Sequence, residues 1–290
     1  RRERELFALL VRTLDTLPGA RTRPPKCTVT RSQVLAVALW AALHDRPSSW
    51  ATRRETWPVH ARTRRLPSDA TMSRRLREPR TSELIDELID ALRVETPDGA
   101  MLIIDGRPLT VASHSADRDA GFGYALGGKR KGYKLHAIVD SLGNRRAYRV
   151  APLNVSEQAM AREMLAAVEV RGVSRLLADA NYDANALYEI AGNRGVQMLA
   201  DRRYRKAKGV GNRWHSAHRL RAIELMKADP GALRGRRFVE SCFGTQGNVT
   251  GGLGPLPNHV RGLERVRRWV ALKLAIDAAH RRRRTERRAA

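Results

Sequence analysis

Three carboxylates stand in surroundings that suit phosphate chemistry: Asp105 closing MLIID, Asp179 closing RLLAD, and Glu240 inside RRFVESCFG. The first two end short apolar runs that read as buried strands, and the third lies on an expected helix behind two arginines. Acids at the carboxyl ends of strands in an α/β sheet face the crevice where ligands bind. Two such groups side by side repel, and one takes up a proton unless a cation intervenes. Mg²⁺ is held in this way, by few carboxylates with water and phosphate. A pair of metals about 4 Å apart activates the attacking oxygen and stabilises the leaving one. Each acid also has a plainer reading. Asp105 would begin a turn in DGRP, Asp179 would cap the next helix, and Glu240 would pair with Arg236 four residues before it. Asp140 is assigned to a hairpin turn because SLGN follows, and Asp183 reads as a helix cap, in a first turn where a carboxylate meets the positive dipole end.

The 290 residues carry 55 Lys+Arg against 30 Asp+Glu, a formal net charge of +25. Nucleic acid is the common partner for such an excess; a solvated basic face is the bland alternative. Near the acids, Lys134 and His136 are two apart on a strand and share a face, either against phosphate or in solvent. Lys129, Arg130 and Lys131 follow Gly127-Gly128 in an expected loop that would track a DNA backbone. Arg236 and Arg237 lie within one turn of Glu240. Arg74 and Arg75, with Arg77, would set a short helix against duplex DNA, although no helix-turn-helix is visible. The terminal RRRR reads as a disordered arm. Trp40, Trp50, Trp57 and Trp269 have apolar helical neighbours and read as core. Two distant cysteines, Cys27 and Cys242, exclude a disulfide framework or a zinc site and fit a reducing cytoplasm. No apolar stretch approaches the roughly 18 residues that span a bilayer. RRERELFALLVR is amphipathic and does not read as a secretory signal. The chain opens on Arg1 rather than methionine, so an N-terminal piece is expected to be missing.

The elements that must position these groups divide at Pro97-Asp98-Gly99. Residues 1–96 read as helical: 1–17 up to Pro18-Gly19, a helix through LAVALWAALHD capped by Thr30 or Ser32, then SDATMSRRLRE and SELIDELIDALR. Beyond 97 the period changes. MLIID (101–105) is a strand, YKLHAIVD (133–140) and RRAYRVAP (145–152) form a hairpin, and SEQAMAREMLAAVEV is a helix with Ser156 at its N-cap. RLLAD, a helix over YDANALYEIAGNRG and the strand VQMLAD come next. The stretch 202–217 reads as irregular and basic, and helices are expected at 218–228, 231–246 and 258–282. The order predicts a mixed sheet covered by helices, with boundaries at 1–96, 97–282 and a basic tail over 283–290.

KGYKLHAIVDSLGN with APLNVSE, LLADANYDA, RRFVESCFG and NHVRGLERVRRWVALKL together resemble the core of bacterial insertion-sequence transposases of the Asp-Asp-Glu type. LPSDATMSRRLR is similar to the segment those proteins carry just before the catalytic domain. The resemblance covers about residues 100–280. It implies a ribonuclease-H-like α/β fold with Asp105 and Asp179 on adjacent strands and Glu240 on a later helix. It implies Mg²⁺, or Mn²⁺ as a substitute, at these three acids, and double-stranded DNA as partner: transposon terminal inverted repeats and target, engaged by a homodimer. The activity implied is cutting at transposon ends to expose 3′-hydroxyls, which then attack target DNA. Relatives often carry a tyrosine seven residues before the glutamate, an arginine four before and a lysine seven after. Here those positions are Leu233, Arg236 and Gly247, with Gln246 or Asn248 as substitutes for the lysine. A DNA-binding relative without chemistry and a nuclease without strand transfer are the alternatives.

Overall fold

The computed structural model describes residues 2–25, 27–59, 65–201 and 215–289. The basic stretch expected to be irregular falls mainly in 202–214, outside the described residues. The chain forms two compact units, Arg1–Val94 with Gln246–Ala290, and Glu95–Thr245.

The first unit is helical. It contains α1 (Arg2–Thr16), α2 (Arg31–Leu43), α3 (Ser48–Ala51), α4 (Asp69–Arg75), α5 (Pro79–Ala91) and, from the far end of the chain, α10 (Leu263–Ala289). Thr30 caps α2 in a full capping box with Gln33, while Ser32 bonds Asp15 instead. Ser68 caps α4. Leu6, Phe7, Leu10 and Leu14 line one side of α1 and are buried. Phe7 meets Trp40 and Trp57 edge-on, and those two indoles stack at 5.1 Å. Trp40, Trp57 and Trp269 are buried as core, and Trp50 is half-buried beside His44. The segment from 246 onward keeps company with these helices because α10 packs on α1, α2 and α5. The terminal arginines correct an expectation: RRRR continues α10 as helix, with Arg281 paired to Asp277, Arg282 to Glu286 and Arg283 to Glu5. Regular i,i+4 partners, and Glu5 on α1, hold what composition alone reads as a free tail.

The second unit is a mixed sheet flanked by helices. Its strands are β1 (Ala100–Val111), β2 (Gly121–Ala125), β3 (Gly128–Asp140), β4 (Arg145–Pro152), β5 (Val173–Ala178) and β6 (Gln197–Ala200). β1 runs antiparallel to β3 and parallel to β5, and β5 is parallel to β6. β2 and β4 pair with successive stretches of β3, on the edge away from β1. The helices are α6 (Glu157–Ala167), α7 (Asn185–Gly192), α8 (Ala217–Ala228) and α9 (Arg237–Asn248). This is the expected ribonuclease-H-like arrangement.

Three local readings change. β1 runs on past Asp105 through Pro108 to Val111, so DGRP is strand and not turn. Pro108 is tolerated there because, among the described strands, β1 pairs beyond Ile103 with β3 alone. Lys129, Arg130 and Lys131 are strand residues of β3 rather than loop, opposite a strand that sequence patterning misses. Asp183 does not cap α7: the N-cap is Ala184, and Asp183 bonds Arg219 at 2.7 Å and the Tyr188 hydroxyl at 3.1 Å. Asp140 is the hairpin-turn residue it was read as. Its carboxylate accepts from the N–H groups of Leu142 and Asn144, the Thr96 hydroxyl and the Asn144 side chain.

Candidate active site

Asp105 and Asp179 come from neighbouring strands. β1 and β5 pair in parallel up to Ile103 and Leu177, two residues before each aspartate. The sheet opens at this point, since β1 continues with β3 while β5 ends and the chain turns through a short 3₁₀ segment, Ala180–Tyr182. Backbone N–H groups orient both acids: Gly106 donates to Asp105 Oδ1 at 2.7 Å and Asn181 to Asp179 Oδ1 at 2.9 Å. Asp179 is therefore also the N-cap of the 3₁₀ turn, and the structural and chemical readings of this residue coincide. Burial pushes the Asp105 carboxyl up to about 6; the Gly106 bond opposes this, and the charges of Asp179 and Glu157 add to it. Asp179 is also raised, by burial first and by Glu157. The two groups thus stand where both being ionised is costly without a cation.

Two further side chains join them. Glu157 opens α6, and its charge acts on Asp105, Asp179, His136 and Tyr182. It pairs with Lys134 on β3. The Tyr182 hydroxyl is fully buried without a hydrogen-bond partner among the described residues, and the three carboxylates that act on it are Glu157, Asp105 and Asp179. Burial, then these charges, hold it well above its ordinary range. Neither residue stands out in sequence. Glu157 looks like a first-turn acid and Tyr182 like core. The Ser-Glu at the head of α6 was the available signal, although Ser156 is the N-cap residue without a side-chain capping bond.

Glu240 stands apart from this group. It lies on α9, its side chain 58% exposed, and pairs with Arg236 at 3.5 Å. Arg236 in turn acts on both aspartates, lowering each. One guanidinium therefore links Glu240 electrostatically to the Asp105–Asp179 pair. α9 is tied to the sheet, since Arg107 on β1 donates to the Phe243 carbonyl at 2.7 Å and Arg145 on β4 lies over the Phe243 ring.

Residues 96–228 match the family described as the transposase DDE domain. This segment belongs to that family. No curated protein matches the chain. The matched part of the DDE domain holds Asp105, Glu157, Asp179 and Tyr182, while Glu240 lies beyond its end. The family acts on DNA and uses divalent metal.

The donor set of this DDE domain suits a hard cation in part. Asp105 and Asp179 offer oxygen only, which fits Mg²⁺ held by two carboxylates with water and phosphate. Among the described residues, no three His, Cys, Asp or Glu side chains stand close enough to hold one ion. Neither Glu240 nor Glu157 therefore completes a three-carboxylate group with the two aspartates, and Glu157 acts on them through its charge. The basic residues expected to meet DNA divide by exposure. Lys129, Arg130, Arg237 and Arg74 are exposed, and Lys131 and Arg236 are half-buried. His136 is fully buried, with neither ring nitrogen bonded among the described residues, and burial pushes it down to about 4. Lys134 is occupied by Glu157. Arg75 is buried and bonded to Glu78, leaving Arg74 on α4 and Arg77, just beyond its C-cap, exposed. Of the two candidates for the missing lysine, Gln246 is buried and Asn248 exposed. No described helix is long and apolar enough to cross a membrane.

Proposed function

We propose that the protein is a DNA transposase that cuts at transposon ends and joins the freed 3′-hydroxyls to target DNA. The observation that carries this reading is the adjacent pair Asp105 and Asp179, at the point where β1 and β5 part within a transposase DDE domain. Bound divalent cations supply charge neutralisation and activation of the attacking oxygen. Asp105 and Asp179 are the residues to hold them, each oriented by a backbone N–H. Glu240 is the third carboxylate of the reading, brought to the pair through movement of Arg236 or α9. In the first step water attacks a phosphodiester at the transposon end, and the 3′-oxygen leaves and takes up a proton. In the second that 3′-hydroxyl attacks a target phosphodiester, displacing another 3′-oxygen. The exposed cations Lys129, Arg130, Arg237 and Arg74 hold backbone phosphates outside this centre.

A second reading is a DNA-binding relative without chemistry. The observation favouring it is the pairing of Glu240 with Arg236 rather than with the aspartates. The test uses a labelled end fragment and a supercoiled plasmid, with Mg²⁺, with Mn²⁺ and with chelator. Label joined to the plasmid in metal supports the transposase. Cutting without joining reduces the reading to a nuclease, and tight binding without cutting supports the silent relative.

A further inference from the structure

The β2–β3 hairpin presents a surface whose residue types ask for an unusual ligand. Its turn is two residues long, Leu126-Gly127, between the paired Ala125 and Gly128, and both have positive φ, 51° and 76°. That is the type I′ geometry normally met by Asn-Gly or Gly-Gly. A branched side chain in this conformation is strained, and here it is 71% exposed at the tip. Just behind it, Phe122 is 52% and Tyr124 78% exposed. They pair across the ladder with Lys131 and Lys129, so two rings and two ammonium groups share one face. Both Lys129 Nζ and Lys131 Nζ lie 5.7 Å from the Phe122 ring centre. The opposite face of β2 is glycine at 121 and 123, because that face lies directly on Leu153 and Asn154: a Cβ at Gly123 would sit 2.5 Å from the Leu153 carbonyl oxygen. The hairpin is thus pinned on one face and aromatic and cationic on the other.

We propose that this hairpin is a binding site for unpaired bases, with Leu126 as a wedge at a base step and Phe122 and Tyr124 as stacking platforms. The inference rests on the DNA reading above and adds to it a preference for opened DNA. Ammonium groups beside the rings match a polyanion, and flat rings match base faces that a closed duplex does not offer. Apolar side chains inserted at a base step are a known way to unstack and kink a duplex. A strained leucine at the tip, where glycine would be relaxed, serves that task and adds nothing to the fold.

The full-length protein is titrated, in chelator, against two fluorescent duplexes of equal length, one fully paired and one with three unpaired nucleotides at its end. The wild type is expected to prefer the frayed DNA by about five- to 150-fold, the range of one stacked base. Phe122→Ala with Tyr124→Ala is expected to lose that preference while binding paired duplex as before. Leu126→Gly is expected to melt at an equal or higher temperature, since the strain is relieved. It is also expected to open an end-placed 2-aminopurine less than the wild type does. Equal affinity for both DNAs, or a preference kept by the double variant, overturns this inference and leaves the transposase reading standing. A double variant that alters self-association but not the frayed-end preference assigns the face to a second copy of the chain and also overturns it. Binding to neither DNA overturns both.

Discussion

At the scale of single residues, the account rests on where four acids find their charge partners. Asp105 and Asp179 were legible because each closes a short apolar run, and such runs become adjacent strands. Glu240 was legible as a helix acid, but its pairing with Arg236 was the plainer of two readings, and the structure has that one. Glu157 was not legible because a first-turn glutamate is ordinary in any helix; only the fold sets it beside the aspartates. The perturbed Asp105 gives a testable sign. Its folded pKa of about 6 lies above the ordinary 3.8, so folding binds a proton in that window. Stability from this group is full below about 3.8 and lost as pH rises to about 6. His136 contributes the opposite slope over an overlapping range, since its folded value of about 4 lies below 6.5. The wild type minus Asp105→Asn difference in melting temperature, taken in chelator, isolates the first effect. It should fall steadily between pH 4 and 6, and Glu157→Gln should move that fall to lower pH. An unchanged difference across the window would mean that burial and the neighbouring carboxylates do not raise Asp105.

At the scale of elements, the sequence marked most helices and the β3–β4 hairpin and misplaced what depends on partners. Gly106 and Pro108 signal a turn locally, yet β3 pairs with β1 as far as Val111 and overrides that signal. GFGYA lacks branched residues, and its alternation is inverted, with glycines against the fold and rings in solvent, so β2 went unseen. Its glycines are there because Leu153 and Asn154 lie against it. The terminal arginines read as a loose arm because composition cannot see Glu5 and Asp277. The β2 account predicts that Gly123→Ala costs about 1–3 kcal/mol of stability, the usual range for overpacking against backbone. Denaturant unfolding with an unchanged m-value would measure it. The same substitution at Gly244, where nothing lies within 4 Å of the added Cβ and the residue is helical, should be neutral or stabilising. Equal effects at both positions would remove the reason given for the glycines in β2.

At the scale of the whole molecule, a net charge of +25 and a transposase DDE domain point the same way. The helical unit draws on both ends of the chain, since α1, α2, α5 and α10 share one core. A buried Lys273 on α10 secures that core by donating to the Ala42 carbonyl and to Asp45. The central claim is that the Asp105–Asp179 pair carries metal-dependent DNA cleavage. The most direct measurement compares wild type with Asp105→Asn on one labelled end fragment, scoring nicking in Mg²⁺, Mn²⁺ and chelator and binding in parallel. The account predicts nicking by the wild type in metal only, a loss of at least about a hundredfold in the variant, and DNA affinity in the variant equal to or higher than wild type. Nicking that persists in chelator, or that survives the substitution at full rate, would contradict it.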